Sequence, residues 1–381
     1  MKYIQEAQRI ELSKKQSIAY LTLDWTGGSK RFIEDMELLR ELTPPSSLEK
    51  IVIQGYNSSS FPQWLASISI YLPNLVSVTL KGLSQCSSLP PLGQLPNLIE
   101  LVLEAMPSIT KMDTGFWGAN MKAYPRLGSL TISEMENLEE WSVTCSCDDG
   151  IRDEFMFPNL KTLLIRRCHK LRVGGPCPPR VNTLSIVDSN EVLMQWEEGP
   201  PHTVYSTSSA PVVHTLKVAE CMVPMHQWKL LHQLPALTEL STDSCDDLTS
   251  SAEVTQALAP LRKLSLSCTQ ELPQWLGDLT SLRSLKLEKC QDIQGLPECL
   301  GGGLFLLKKL KIWRCQGITP LLESLGQRRY SYSIDRIEFW SCPELSKWCE
   351  LELHLIKNYR ITVVSALLRY RHFSALISYL H

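Results

Sequence analysis

Long hydrophobic runs are missing from this sequence. A membrane helix needs roughly 20 uncharged apolar residues, and the nearest candidate, Ile361 to Leu368, is ended by Arg369 and Arg371. The first residues, MKYIQEAQRIELSKKQ, are polar and mixed in charge, without the apolar stretch of a secretory signal. Charge of one sign is also missing. Lys and Arg number 38 against 40 Asp and Glu, leaving a formal net charge of −2. That balance gives no electrostatic footprint for nucleic acid, which would call for a strongly basic domain or stripe. The expectation is a cytoplasmic protein that engages neither membrane nor nucleic acid.

Catalytic signatures are equally sparse. There is no G-x-x-x-x-G-K-S/T, and Gly27-Gly28-Ser29-Lys30 and Gly301-Gly302-Gly303 lack the frame that cradles phosphates. H-E-x-x-H, G-x-S-x-G and the kinase set are absent. The eight histidines are scattered, with His226 and His232 beside the apolar stretch around Trp228 and no carboxylate at ligand spacing. Glu139-Glu140 and Glu197-Glu198 read as solvated charges. No catalytic residue, cofactor or metal site is expected.

What is present is a repeat. One phrase recurs: an apolar residue, two variable ones, an apolar residue, one variable, an apolar residue. Clear copies are Leu160-Leu163-Ile165, Leu261-Leu264-Leu266, Leu282-Leu285-Leu287 and Leu307-Leu310-Ile312. Leu48-Ile51-Ile53, Leu75-Val78-Leu80, Leu98-Leu101-Leu103 and Leu127-Leu130-Ile132 are nearly as clear. Ile18-Leu21-Leu23, Val181-Leu184-Ile186, Val213-Leu216-Val218, Leu237-Leu240-Thr242 and Ile334-Ile337-Phe339 are weaker, making thirteen, with central positions 21 to 33 residues apart. Period-two alternation reads as a short strand with one buried face. One such unit cannot bury its apolar face alone, so stacked copies supply each other's core. The fold predicted is α/β: a leucine-rich-repeat solenoid, or horseshoe, with a parallel sheet on its concave face and irregular or short helical convex segments. Residues 1–16 form a lead-in, 17–349 the repeats, and 350–381 a C-terminal cap of one or two helices or a poorly ordered tail.

The cysteines follow this phase. Cys168, Cys221, Cys245, Cys290, Cys315 and Cys342 each lie three residues after the last apolar residue of a phrase. A position that recurs at every turn stacks on itself, and a small buried thiol suits it better than a disulfide framework. Cys145 and Cys147 stand outside the ladder, beside Asp148 and Asp149, as exposed loop cysteines. The polar stretches Ser142 to Arg152 and Ser189 to Pro211 read as loops leaving the stack.

The segments between phrases carry a family resemblance. Gly55-Tyr56-Asn57-Ser58-Ser59-Ser60-Phe61-Pro62-Gln63-Trp64-Leu65 resembles the GY…FPxWL signature of plant coiled-coil nucleotide-binding leucine-rich-repeat disease-resistance receptors. Leu89-Pro90-Pro91-Leu92-Gly93-Gln94-Leu95-Pro96-Asn97-Leu98 is similar to that family's LPPLGQLPxL block. Phe157-Pro158-Asn159-Leu160 followed by Cys168-His169-Lys170-Leu171 resembles its FPxL…CxKL segment, and residues Leu272 to Leu282 its LPxWLGxLTSL repeat. The resemblance implies a protein-recognition and autoinhibitory repeat region acting in plant defence. Its implied partners are a pathogen effector or guarded host protein and, for the N-terminal repeats, the nucleotide-binding domain of the parent receptor. The coiled coil and nucleotide-binding domain are not encoded here, so a fragment, decoy or relic is expected.

The phrases also point to a binding face, because the variable residues beside the buried ones project to the open side. In the last copies these include Lys286 and Glu288, then Lys309, Lys311 and Trp313, then Arg336, Glu338 and Trp340. Two tryptophans ringed by basic side chains match the composition of binding hot spots. The competing reading is a solvated strip whose tryptophans pack on neighbouring repeats. Other functional classes remain open: a free-standing interaction scaffold such as a ubiquitin-ligase recognition arm, and an extracellular receptor. The latter calls for many glycosylation sequons, whereas Asn57-Ser58-Ser59 stands alone.

Overall fold

All thirteen phrases are strands in the computed structural model, each five residues long and each beginning two residues after the phrase's first apolar position. The structure describes residues 2–27, 35–112, 123–146, 152–196, 204–205, 212–290, 293, 304–316, 334–342 and 360–364. The chain divides into two compact units, Met1–Val213 and His214–His381.

The first unit carries seven ladder strands: β1 Tyr20–Asp24, β2 Lys50–Gln54, β3 Ser77–Lys81, β4 Glu100–Glu104, β5 Ser129–Ser133, β6 Thr162–Arg166 and β7 Thr183–Val187. They pair parallel and in order, and equivalent phrase positions face each other, as in Leu80 opposite Leu103. The second unit repeats the arrangement with β8 Thr215–Ala219, β9 Glu239–Asp243, β10 Lys263–Ser267, β11 Ser284–Glu288, β12 Lys309–Trp313, β13 Arg336–Trp340 and β14 Arg360–Val364. Each unit is therefore a leucine-rich-repeat stack.

Strand β14 goes beyond the phrases. Ile361 and Val363 pair with Ile337 and Phe339, but Asn358 stands where every other copy has its leading apolar residue. The rest of the tail, with its expected capping helices, lies outside the described residues.

Packing columns run through each stack. Leu48, Leu75, Leu98, Leu127 and Leu160 are all buried, as are Ile53, Leu80, Leu103, Ile132, Ile165 and Ile186. Each such side chain contributes about 1.5–3 kcal/mol by leaving water. Backbone bonds repeat with the same period. The carbonyl preceding a strand accepts two successive N–H groups from the next repeat, as Glu49 does from Val76 and Ser77, and Arg262 from Arg283 and Ser284.

The strands end by a common device. The residue after the strand turns into the left-handed region: Gly55, Gly82, Ala105, Glu134, Arg167, Asp188, Glu220, Ser244, Cys268, Lys289, Arg314 and Ser341 all have φ between 46° and 70°. L-residues pay about 1–2 kcal/mol for this conformation. It persists because the same residue still donates to the next repeat, as Gly55 does to Lys81 and Arg314 to Trp340. The turn drops the following residue into the core, which is the cysteine position. Cys168, Cys221, Cys245, Cys290, Cys315 and Cys342 are buried thiols. The Cys342 thiol lies 3.3 Å from the Trp340 carbonyl and 3.6 Å from that of Ile312 in the preceding repeat, and Cys168, Cys245, Cys290 and Cys315 have the equivalent pair of acceptors.

The return segments are short helices or irregular turns, and the family-like motifs shape them. Pro62 and Pro273 open the turns at Gln63–Ala66 and Gln274–Asp278, where a missing N–H costs nothing. The indole N–H groups of Trp64 and Trp275 donate to the Leu39 and Leu248 carbonyls of the preceding repeats. Asn74, Asn97, Asn137 and Asn159 likewise donate to the carbonyls of Ser46, Pro73, Pro107 and Pro125.

The two inserts of the first unit correct the loop reading. Thr144–Ser146 pairs antiparallel with Arg152–Phe155, and Val204–Tyr205 pairs parallel with Arg152 and Asp153. Two polar stretches far apart in sequence thus share a small sheet. Backbone pairing overrides the Ser- and Pro-rich composition from which loops were expected. Cys145 is opposite Glu154 in this sheet, whereas Cys147 and Glu197-Glu198 lie outside the described residues, with the strings at Gly28 and at Gly301 to Gly303.

Candidate functional site

On the last repeats the alternation buries Leu285, Leu287, Leu310, Ile312, Ile337 and Phe339 and turns the intervening residues to the open face. The parallel register then stacks those residues in rows. Lys309 is opposite Arg336, Lys311 opposite Glu338, and Trp313 opposite Trp340; Lys286 is opposite Lys311 and Glu288 opposite Trp313. All eight residues expected at a binding face lie on three consecutive strands.

The tryptophans are in contact. Their ring centroids are 5.6 Å apart at an interplanar angle of 37°. Trp340 is 42% exposed, while Trp313 is half-buried between Trp340 and Lys286. The Lys286 Nζ sits 4.1 Å from the Trp313 ring centroid and 2.5 Å from the Glu288 carboxylate. The Trp313 indole N–H is covered and has no hydrogen-bond partner, which in an ordinary core costs about 1–3 kcal/mol. One tryptophan therefore packs on its neighbours, and the other offers its ring to solvent.

Beside this pair lies a charged cluster centred on Glu338. Its carboxylate is 2.6 Å from Lys309 Nζ, 3.8 Å from the Arg336 guanidinium and 3.9 Å from Lys311 Nζ. The cations are 30–50% exposed and Glu338 only 17%. Ion pairs this open contribute about 0–1 kcal/mol to stability, and an exposed cation–π contact about 0.5–1 kcal/mol. Neither is a large part of what holds the stack, so the cluster is chemically available.

The first unit's open face differs. Its middle row, Thr22, Val52, Thr79, Val102, Thr131, Leu164 and Ser185, is uncharged. Aromatic rings and an excess of cations meet on β11 to β13. Sequence reasoning listed these side chains but missed the cation–π contact and the triple pairing of Glu338. The pairing around Glu338 follows from register, which the phrase alignment already contains. The cation–π contact depends instead on the path of the Lys286 side chain, which lies opposite Lys311.

Elsewhere, His226 lies 3.5 Å from the Thr249 hydroxyl, and His232 lines a shallow cleft with Leu231, Leu234 and Glu253. Among the described residues no group of three His, Cys, Asp or Glu side chains is placed to hold a metal ion. No helix among them is long and apolar enough to cross a membrane.

Comparison with known proteins agrees with the ladder. Residues 1–106 match the family of R13L1/DRL21 leucine-rich repeats. The disease resistance RPP13-like protein 1 of Arabidopsis thaliana is 26% identical over 311 residues, covering 77% of this chain and 26% of that protein. Another disease resistance protein of Arabidopsis thaliana is 32% identical over 186 residues, 46% of this chain and 13% of its own length. The disease resistance protein RGA2 of Solanum bulbocastanum is 26% identical over 213 residues, 44% of this chain and 22% of its own. The chain thus spans about a quarter or less of these relatives. The strand ladder makes this chain a leucine-rich-repeat region, and its sequence is similar to that of plant disease-resistance proteins.

Proposed function

We propose that the chain is the protein-recognition and autoinhibitory region of a cytoplasmic plant immune receptor, acting in defence against pathogens. It works as a binding surface and not as an enzyme. Recognition is assigned to the open face of β11 to β13, where the partner is a pathogen effector or a guarded host protein. The N-terminal repeats pack on the nucleotide-binding domain of the receptor. The likeness to disease-resistance proteins supports the setting.

The observation that carries the recognition role is the Trp313–Trp340 pair, with the Trp340 ring exposed and the Lys286 ammonium over the Trp313 ring. Tryptophan and arginine are enriched among the few residues that carry most of an interface's energy. Their truncation typically costs about 2 kcal/mol or more of binding. The test is a two-hybrid screen of pathogen effectors and host proteins against the wild type and the Trp313→Ala/Trp340→Ala double variant. Met222→Ala and Phe305→Ala serve as controls, being exposed apolar residues outside the strands. Partners that lose the double variant and keep both controls support the assignment. Partners that bind the folded double variant as tightly as wild type overturn it.

A further inference from the structure

Charge on this face is out of balance with the rest of the chain. On β10 to β13 the open side presents Lys263, Lys286, Lys309, Lys311 and Arg336 against Glu288 and Glu338, whereas the whole chain is −2. Two of the five cations are answered one to one: Lys263 pairs with Glu239 of β9, and Lys286 with Glu288. The other three, Lys309, Lys311 and Arg336, share Glu338. The local excess is two positive charges, centred on Glu338, two residues along the same face from the exposed Trp340.

We infer that this face takes an acidic protein segment, whose carboxylates dock on Lys309, Lys311 and Arg336 while an apolar side chain covers Trp340. Glu338 is the resident counter-ion with which a partner carboxylate competes. The inference rests on the recognition role proposed above and adds the chemistry of the partner. The geometry suits a peptide chain. Same-face positions two residues apart on a strand are about 6.6 Å apart. The first-position cations Lys309 and Arg336 therefore lie about 13 Å from the tryptophans at the fifth, a span that a few residues of partner cover. Arg336 is the most exposed of the three, and its planar fork matches a carboxylate. A nucleic-acid backbone fits poorly, because Glu239, Asp243 and Glu288 stand on the same face and would meet its phosphates.

The test uses three fluorescein-labelled peptides of equal length with a central leucine, flanked by glutamates, by lysines or by serines, and a single-stranded DNA. Fluorescence anisotropy is read against the wild type, Glu338→Gln, and Lys309→Gln/Arg336→Gln. Glutamine keeps the size of Glu338 and replaces the two cations by a shorter neutral polar side chain, and thermal unfolding checks the fold. The acidic peptide is expected to bind about tenfold more tightly than the other two, as for a hydrogen-bonded charge pair. It should bind more tightly still to Glu338→Gln, and about tenfold more weakly to the double variant. Raising salt from about 0.1 M to about 1 M, which cuts the screening length from about 10 Å to about 3 Å, should weaken it. Equal binding of all three peptides, tighter binding of the DNA, or indifference to both variants overturns the inference. A natural partner that is lost on Trp313→Ala/Trp340→Ala but ignores Lys309→Gln/Arg336→Gln and salt leaves the recognition role standing and removes the acidic segment. A partner indifferent to every variant removes both.

Discussion

The rings of Trp313 and Trp340 meet at 5.6 Å because the two residues hold the same register position on neighbouring parallel strands. Phe339, one residue from Trp340, points the other way and is 2% exposed against 42%. Alternation therefore separates stability from binding within a dipeptide. Phe339→Ala is expected to cost about 3–5 kcal/mol of folding stability, as for a buried aromatic. Trp340→Ala should cost about 1 kcal/mol or less, the loss of one aromatic contact. Urea unfolding of the two variants checks the contrast.

The left-handed turn after each strand makes an opposite pair of expectations. At Gly55, φ is +70° and an added Cβ would lie 2.9 Å from the Thr26 Cγ2, so Gly55→Ala should destabilise by more than about 1–2 kcal/mol. At Lys289 the same conformation, φ 51°, is held by an L-residue. Lys289→Gly relieves that strain and should be neutral or stabilising by up to about 1 kcal/mol. Equal destabilisation at both positions in denaturant melts would contradict the turn assignment.

Burial also sets thiol chemistry. It pushes Cys86 and Cys177 up to about 12 and Cys168 to about 11, whereas Cys268 is exposed. Peptide-resolved alkylation of the native protein near pH 8 should label Cys268 well before those three, and denaturant should abolish the difference. For Cys177 the pH dependence follows. The unfolded thiol ionises near 9.0 and the folded one at about 12. Its stabilising effect is whole below pH 9 and is lost as pH rises toward 12, at up to about 1.4 kcal/mol per pH unit. Cys177→Ala should flatten stability against pH in that interval.

The tryptophan of the FPxWL-like motif acts through its N–H. Trp64 is buried and donates to the Leu39 carbonyl at 2.9 Å. Trp64→Phe strands that acceptor and leaves space, for an expected loss of about 1–3 kcal/mol, visible as a lower thermal midpoint.

Most of the ladder was legible because one period governs both burial and register. Once Leu310 and Ile337 are aligned, the positions of Lys311, Glu338 and the two tryptophans follow. The thiol ladder was legible for the same reason. Strand β14 was not, since Asn358 breaks the phrase while backbone pairing needs only extended chain beside β13. Nor was the small sheet linking Arg152–Phe155 to Val204–Tyr205, because pairing between inserts depends on where the stack delivers them. The partial burial of Trp313 was hidden too. It depends on the Lys286 side chain, which reaches across from β11 to cover the ring.

The most direct measurement of the central claim is site-specific photo-crosslinking to a partner recovered with the wild-type chain. Benzoylphenylalanine is placed at position 340 in one variant and at position 305 in another. The account predicts crosslinks from 340 that are suppressed by excess unlabelled protein, with little or none from 305. Crosslinks from 305 and none from 340, in a chain that still binds the partner, would contradict it.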